Sequence, residues 1–406
     1  MNFRFPIVLD GAMGTQLYKH GFKSGYCPEK WCIEHSDDVI AIQRAYVNAG
    51  SDIIYAPTFG ANRVSLEKNK IFGKVEEYNR MLVEISRKAA GGDAHVAGDI
   101  TSIGAMLFPV GDYSFEDIYQ IYVEQASALE QAGVDLFIIE TIMNVAEARA
   151  AVLAIRSVSD KPIFVTFSCN EKGRTMTGTD VCAALVIMQR MGVDAFGLNC
   201  SVGPKELVPQ IKRLSELATI PLIAKPNAGL PKFENGENIY DVHASEFASY
   251  IPELAKSGTC IFGGCCGTDE TFISAIKNEL SSVSVKPSVC SSEEITAATE
   301  RDVFTIDSDS SYHEIFECSD ELEDNIMDSD PDDMIAIRIK ADSDLPVFAS
   351  CQYAVRNPLC IVCDDAALLE KALRAYQGTA LYDGALSEES LAPLCSKYGL
   401  ITGWKK

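Results

Sequence analysis

Short apolar or β-branched runs recur through the first part of the chain, and the stretches between them repeat apolar positions at three- and four-residue spacing. The runs lie at 7–11, 52–59, 95–100, 135–141, 163–168, 195–201, 221–227 and 260–266. Between the third and fourth, Phe115, Ile118, Tyr119, Tyr122, Ala126 and Leu129 share one face of a predicted helix over 115–132. Four helix-to-strand junctions resemble one another: Ala49-Gly50-Ser51-Asp52, Ala132-Gly133-Val134-Asp135, Met191-Gly192-Val193-Asp194 and Ser257-Gly258-Thr259-Cys260. A glycine there suits the left-handed residue that ends a helix. Eight β-then-α units in about 285 residues predict a closed (β/α)8 TIM barrel rather than an open sheet. Such a barrel gathers the C-terminal ends of its strands around one mouth, where its chemistry sits.

Nearly every predicted strand ends in a polar or ligand-capable residue: Asp10, Thr58, Asp99, Glu140, Ser168, Cys200, Asn227 and the pair Cys265-Cys266. Asp99 and Ser168 serve equally well as caps of the following helices. The most specific segment is Gly263-Gly264-Cys265-Cys266-Gly267-Thr268. Adjacent strand residues point to opposite faces, so the strand must break into its loop if both thiols serve one site. Cys200 ends the sixth strand, two positions from the eighth, and supplies a third thiol. Three thiolates on a rigid rim suit zinc, which keeps a fourth position open in catalytic sites. His20, His35, His95, His243 and His313 form no HxxxH pair and none adjoins these cysteines, so no catalytic group beyond the metal site is expected. Cys169, Cys182 and Cys290 read as buried structural thiols. So does the pair Cys360 and Cys363, whose CxxC spacing falls in an apolar strand.

Composition narrows the functional classes. The 406 residues are 47% apolar, and no run approaches the roughly 18 apolar residues of a membrane span. No secretory leader is evident at the start, so a cytoplasmic protein with reduced thiols is expected. A formal net charge of -23 repels phosphate backbones and anionic lipid, which argues against nucleic acid or a membrane as partner. Sixteen Asp and Glu crowd 293–333 against the single basic residue Arg301, marking a boundary. The predicted organisation is a barrel over 1–286, an acidic linker over 287–333 and a small α/β domain over 334–406.

Several motifs in order resemble the homocysteine S-methyltransferase family across about residues 5 to 280: Asp10-Gly11-Ala12-Met13-Gly14-Thr15, Thr58-Phe59-Gly60-Ala61-Asn62, Glu140-Thr141, Gly178-Thr179-Asp180, Gly197-Leu198-Asn199-Cys200-Ser201, Pro226-Asn227-Ala228-Gly229 and the Gly263–Thr268 segment. The Pro-Asn-Ala-Gly stretch and Gly111-Asp112-Tyr113-Ser114-Phe115-Glu116 are most similar to the homocysteine-binding barrel of cobalamin-dependent methionine synthase. The resemblance implies that Cys200, Cys265 and Cys266 hold zinc, with Asn227 in the fourth position until substrate displaces it. It further implies that Glu140 takes the amino group of homocysteine, with Asp10, the backbone of Gly11 and Ala12, and Thr58 near its amino-acid end. Residues 358–398 resemble a fragment of the pterin-binding barrel of the larger methionine synthases. There the family's strand-end aspartate falls on Val362 and its asparagine on Asp383, so a degenerate piece used for dimerisation or docking is expected rather than a folate site.

The function expected is zinc-dependent methylation of homocysteine to methionine. The resemblance implies methylcobalamin on a separate corrinoid protein as donor. Asp241-Val242-His243 has the Asp-x-His spacing of corrinoid ligation, but Glu246 stands where a glycine is expected, and His243 reads as a loop or cap residue. The alternatives are a small donor such as S-methylmethionine or betaine, and a non-catalytic zinc-containing subunit of a methyltransferase assembly.

Overall fold

Each of the eight apolar runs contributes one parallel strand, in most cases shorter than the run, because the chain loosens into the loops that carry the polar residues. A computed structural model describes residues 4–105, 107, 111–230, 232–234, 237–287, 290, 294–330 and 333–405. The strands are β1 (Ile7–Val8), β2 (Ile53–Tyr55), β3 (His95–Ile100), β4 (Leu136–Ile142), β5 (Ile163–Phe167), β6 (Ala195–Asn199) and β7 (Leu222–Lys225). A small antiparallel hairpin follows, β8 (Lys232–Glu234) and β9 (Glu237–Ile239), before the last barrel strand, β10 (Thr259–Phe262). The ladder runs β1-β10-β7-β6-β5-β4-β3-β2. Carboxylates help close the seam between β1 and β2. The Asp52 amide donates to the Val8 carbonyl and the Val8 amide to Asp52 Oδ2, both at 2.7 Å, while Tyr55 N donates to Asp10 Oδ2 at 2.8 Å. The fold is therefore a (β/α)8 barrel with an additional C-terminal α/β region.

Strand register decides what fills the barrel. Ile7, Leu9, Ile53, Ala97, Leu136, Ile138, Phe164, Ala195, Ile223 and Ile261 belong to one buried apolar cluster. Two residues further along their strands, toward the mouth, stand Tyr55, Asp99, Glu140 and Lys225, all buried. An apolar plug thus supports a polar layer. Gly50, Gly133, Gly192 and Gly258, the predicted helix stops, have φ of 106°, 78°, 75° and 107°. His243 stands at the N-cap position of the helix Ala244–Ser249.

The chain divides into two units, Met1–Thr177 with Asp194–Val289 and Gly178–Val193 with Cys290–Lys406. The second contains the antiparallel pair β11 (Ile295–Ala298) and β12 (Val303–Ile306). It also contains a parallel sheet, β13 (Ile315–Glu317), β14 (Ile335–Arg338), β15 (Leu359–Val362) and β16 (Leu381–Asp383), in that order. The range 287–333, expected as a linker, carries three strands and the helix Leu322–Asp328, and it groups from Cys290 onward with the C-terminal unit. Most of the described acidic side chains there are exposed, with Glu300, Glu323 and Asp333 half-buried, while Ala297, Ala298, Ile306, Leu322 and Ile326 are buried. Residues 288–289, 291–293 and 331–332 of that range lie outside the described residues. Cys360 and Cys363 are buried, as are Cys169 and Cys182, but Cys290 is only half-buried. Among the described residues no helix is long and apolar enough to cross a membrane.

Candidate metal and substrate site

Backbone hydrogen bonds tie the ends of β6, β7 and β10 together. Cys200 N donates to the Lys225 carbonyl at 3.2 Å, Cys265 N to that of Pro226 at 2.8 Å, Asn227 N to that of Val202 at 3.0 Å and Ala228 N to that of Cys266 at 2.9 Å. Just past β6, Cys200 and Ser201 adopt left-handed conformations, with φ of 59° and 57°, which non-glycine residues rarely do. Such strain clusters at functional sites. After β10 the chain leaves the ladder at Gly263, and a Cβ on Gly264 would lie 2.4 Å from Thr268 Oγ1. The strand does break where both cysteines turn toward one place.

The Sγ atoms of Cys200, Cys265 and Cys266 lie within 4.8 Å of one another, and those of Cys200 and Cys266 are 4.0 Å apart. Tetrahedral zinc with bonds of about 2.3 Å spaces its sulfurs by roughly 3.8 Å, so the cluster fits the ion with little movement. Hydrogen bonds from Cys265 and Cys266 pull the Cys200 thiol well below its usual range. Sharing the proton with Cys200 pushes Cys265 and Cys266 up. The buried Oδ1 of Asn227 has no hydrogen-bond partner among the described residues, which fits an oxygen donor for a metal.

Beside the sulfurs lies the polar layer. Lys225 Nζ is 3.7 Å from Asp10 Oδ1 and 3.6 Å from Glu140 Oε2, and it sits 4.4 Å from the centre of the Tyr55 ring. Burial pushes Asp10 up to about 7 against the pull of Lys225. Burial raises Glu140 in the same way and holds Asp99 well above the carboxylate range. The Asn199 amide connects layer and cluster: its Nδ2 donates to Thr141 Oγ1 at 2.8 Å and reaches Glu140 Oε2 at 3.4 Å and Cys265 Sγ at 3.9 Å. Thr141 has φ of 59°, and the β4–β5 register shifts between Ile139 and Ile142, a bulge that ends in this contact.

The other expected substrate contacts are engaged in the protein itself. Thr58 Oγ1 donates to the Asp99 carbonyl at 2.8 Å and accepts from the Asp99 amide at 3.0 Å. Ala12 N donates to Thr268 Oγ1 at 3.1 Å, and the Ala12 carbonyl accepts from the Tyr46 hydroxyl at 2.7 Å. Gly11 lies against the same ring, where a Cβ would approach Tyr46 to 2.6 Å.

Residues 7–280 match the family model described as homocysteine S-methyltransferase. The chain belongs to the homocysteine S-methyltransferase family. Methionine synthases of Mycobacterium leprae and Mycobacterium tuberculosis are each 30% identical to it, over 64% and 70% of this chain. The alignments cover 23% and 26% of those proteins, so the chain spans about a quarter of the length of these relatives. The metallated form of the homocysteine methyltransferase MmuM from Escherichia coli shares the fold, at 23% identity, a TM-score of 0.58 and coverage of 67% of this chain and 95% of that one. Its apo form gives a TM-score of 0.54 at 22% identity.

Within this member of the homocysteine S-methyltransferase family, sequence reasoning missed Lys225 and Asn199. Both lie in runs whose ends point first to Cys200 and Asn227. A signal for Lys225 was present: it stands two positions after the inward-facing Ile223, as Glu140 stands after Ile138.

Proposed function

We propose that this protein methylates the thiol of homocysteine to give methionine, at a zinc ion held by Cys200, Cys265 and Cys266, with Asn227 as a fourth ligand that the substrate replaces. The observation that carries this reading is the convergence of three cysteine sulfurs within 4.8 Å next to a buried layer of Asp10, Glu140 and Lys225. Family membership supports homocysteine as acceptor, and the names of the relatives at 30% identity support methionine as product. Zinc bound there would hold the substrate sulfur as thiolate at neutral pH.

The protein's own groups bind and orient. Glu140 and Asp10 offer carboxylates to the substrate ammonium, and Asn199 fixes the Glu140 carboxylate relative to Cys265. The buried layer keeps water from the amino-acid end, where charge pairs are stronger than in solution. In the transfer a sulfur–carbon bond forms as the donor–carbon bond breaks, and the electron pair leaves with the donor.

The donor proposed is methylcobalamin carried by a separate corrinoid protein, in line with the resemblance to cobalamin-dependent methionine synthase. Two experiments test the reading. Zinc X-ray absorption during homocysteine titration should show a nitrogen or oxygen neighbour exchanged for a fourth sulfur. An unchanged shell would mark the zinc as structural and the chain as a non-catalytic subunit. Turnover assays with methylcobalamin, S-methylmethionine and betaine then identify the donor, and methionine formed from a small donor without any corrinoid would reject the corrinoid partner.

A further inference from the structure

Lys225 ends β7 with its side chain turned into the barrel, a costly place for an ammonium group. The neighbouring chain makes room for it. Gly263 lacks a Cβ, and one placed there would stand 3.2 Å from Lys225 Cγ. The side chain is 4% exposed. Its Nζ faces Asp10 and Glu140 at 3.7 and 3.6 Å, both beyond a direct hydrogen bond, so it is centred between two carboxylates and bonded closely to neither. Among the described residues no closer oxygen acceptor faces it, and its third neighbour is the face of Tyr55.

A substrate ammonium entering this layer would share Asp10 and Glu140 with Lys225. Three carboxylates, Asp10, Asp99 and Glu140, already line this layer, so the substrate carboxylate can enter it only bonded to a cation. Among the described residues the only other buried cation is Arg149, in the helix Val145–Arg156 and not on a barrel strand. The backbone amide of Ala12 and the hydroxyl of Thr58 are already engaged. The amide of Asn199 spans from Glu140 to Cys265, so the charged layer and the sulfur cluster lie within the reach of one short amino acid.

We propose that Lys225 binds the α-carboxylate of the substrate, completing a two-sign recognition of α-amino-acid thiols in which Glu140 and Asp10 take the ammonium. The inference rests on the homocysteine reading and adds to it a rule for substrate class: thiols that carry an amine but no carboxylate are rejected.

The test compares homocysteine with 3-mercaptopropylamine, which is homocysteine without its carboxylate, by calorimetric titration of the zinc-loaded full chain. The wild-type protein should prefer homocysteine by about 10–100-fold, the worth of one charge-assisted hydrogen bond. In Lys225→Met that preference should vanish through weaker homocysteine binding, with the amine bound as well as before or better. Lys225→Arg should restore part of it. Lys225→Gln, which keeps a neutral donor and is less disruptive next to Asp10 and Glu140, gives the same ratio should the Met variant fail to fold or to load zinc. A preference that survives in the Met and Gln variants, or a loss equal for both thiols, overturns the role of Lys225 alone. A wild-type protein that loads zinc and binds neither thiol overturns the homocysteine reading and this one together.

Discussion

Asp10 serves the barrel and the site with different oxygens. Oδ2 accepts the Tyr55 amide across the β1–β2 seam, and Oδ1 faces Lys225. Burial nevertheless lifts its pKa from 3.8 to about 7. The sign of the consequence follows from which state keeps the proton longer. The unfolded chain loses it near pH 4 and the native protein near 7, so between these values the native state binds more protons. The contribution of Asp10 to stability therefore falls as pH rises through that window and is flat above it. The contribution lost is at most about 4 kcal/mol, three pK units at 1.36 kcal/mol each. In urea denaturation of the metal-free protein, the stability of wild type relative to Asp10→Asn should decline from pH 5 to pH 7 and then level. Asparagine can still accept the Tyr55 amide through its side-chain oxygen, so the seam is kept and the difference isolates the charge. A difference independent of pH would mean that Asp10 is ionised throughout and that Lys225 compensates it fully.

At the level of strands and loops, the polar layer exists because residues of little bulk let neighbours pass. Gly197, in the middle of β6, would bring a Cβ to 2.0 Å from the Ile223 carbonyl oxygen, whereas a Cβ at Gly14 would meet nothing within 4 Å. Gly197→Ala should therefore cost about 3 kcal/mol in urea unfolding, through displacement of β7 and of Lys225 at its end. Gly14→Ala, at the start of the helix Gly14–Lys19, should be neutral or gain up to about 1 kcal/mol. Equal effects at both would separate Gly197 from the placement of β7. Much of this architecture was legible in the chain. The eight runs and the glycine stops are local patterns, and Cys200, Cys265 and Cys266 could be grouped by strand order alone. Lys225 was marked only by its two-residue offset from Ile223, and Asn199 and the partners of Thr58 and Ala12 were not legible, because they depend on register. Thr58 meets Asp99, 41 residues away, and Ala12 meets Thr268, 256 residues away. A one-residue slip in any strand would exchange its inward and outward sets, and only closure of the whole ladder fixes which set faces in. The acidic range was misjudged for a related reason: strands of three or four residues with exposed acidic neighbours show too little apolar periodicity to stand out.

Over the whole chain, the second unit is discontinuous. The helix Val181–Arg190, which connects β5 to β6 in sequence, groups with residues 290–406. Every residue from Val181 to Met188 is buried. Its ends are held by the same unit: Arg190 Nε donates to the Thr296 carbonyl at 2.9 Å and the Asp180 amide to the Arg301 carbonyl at 3.3 Å. A Cβ on Gly399 would press to 2.6 Å from Arg190 Cβ, so the C-terminal loop is fitted to this helix as well. A boundary drawn by composition ends the barrel at 286, close to the unit's end at Val289, which suggests that the barrel could be cut free there. The packing of the helix argues against it, since the cut would leave the helix in the barrel sequence and remove the strands that cover it. Each large apolar side chain returned to water costs about 1.5–3 kcal/mol, and 1 kcal/mol moves the melting temperature of a domain this size by about 2–4 °C. A protein ending at residue 289 should accordingly melt at least about 10 °C below the full chain in scanning calorimetry and aggregate on heating. Equal melting temperatures would show that the helix is stable without residues 290–406 and that the cut follows a true seam. A truncated chain that holds zinc at full stoichiometry but melts early would place the defect in that helix, away from Cys200, Cys265 and Cys266.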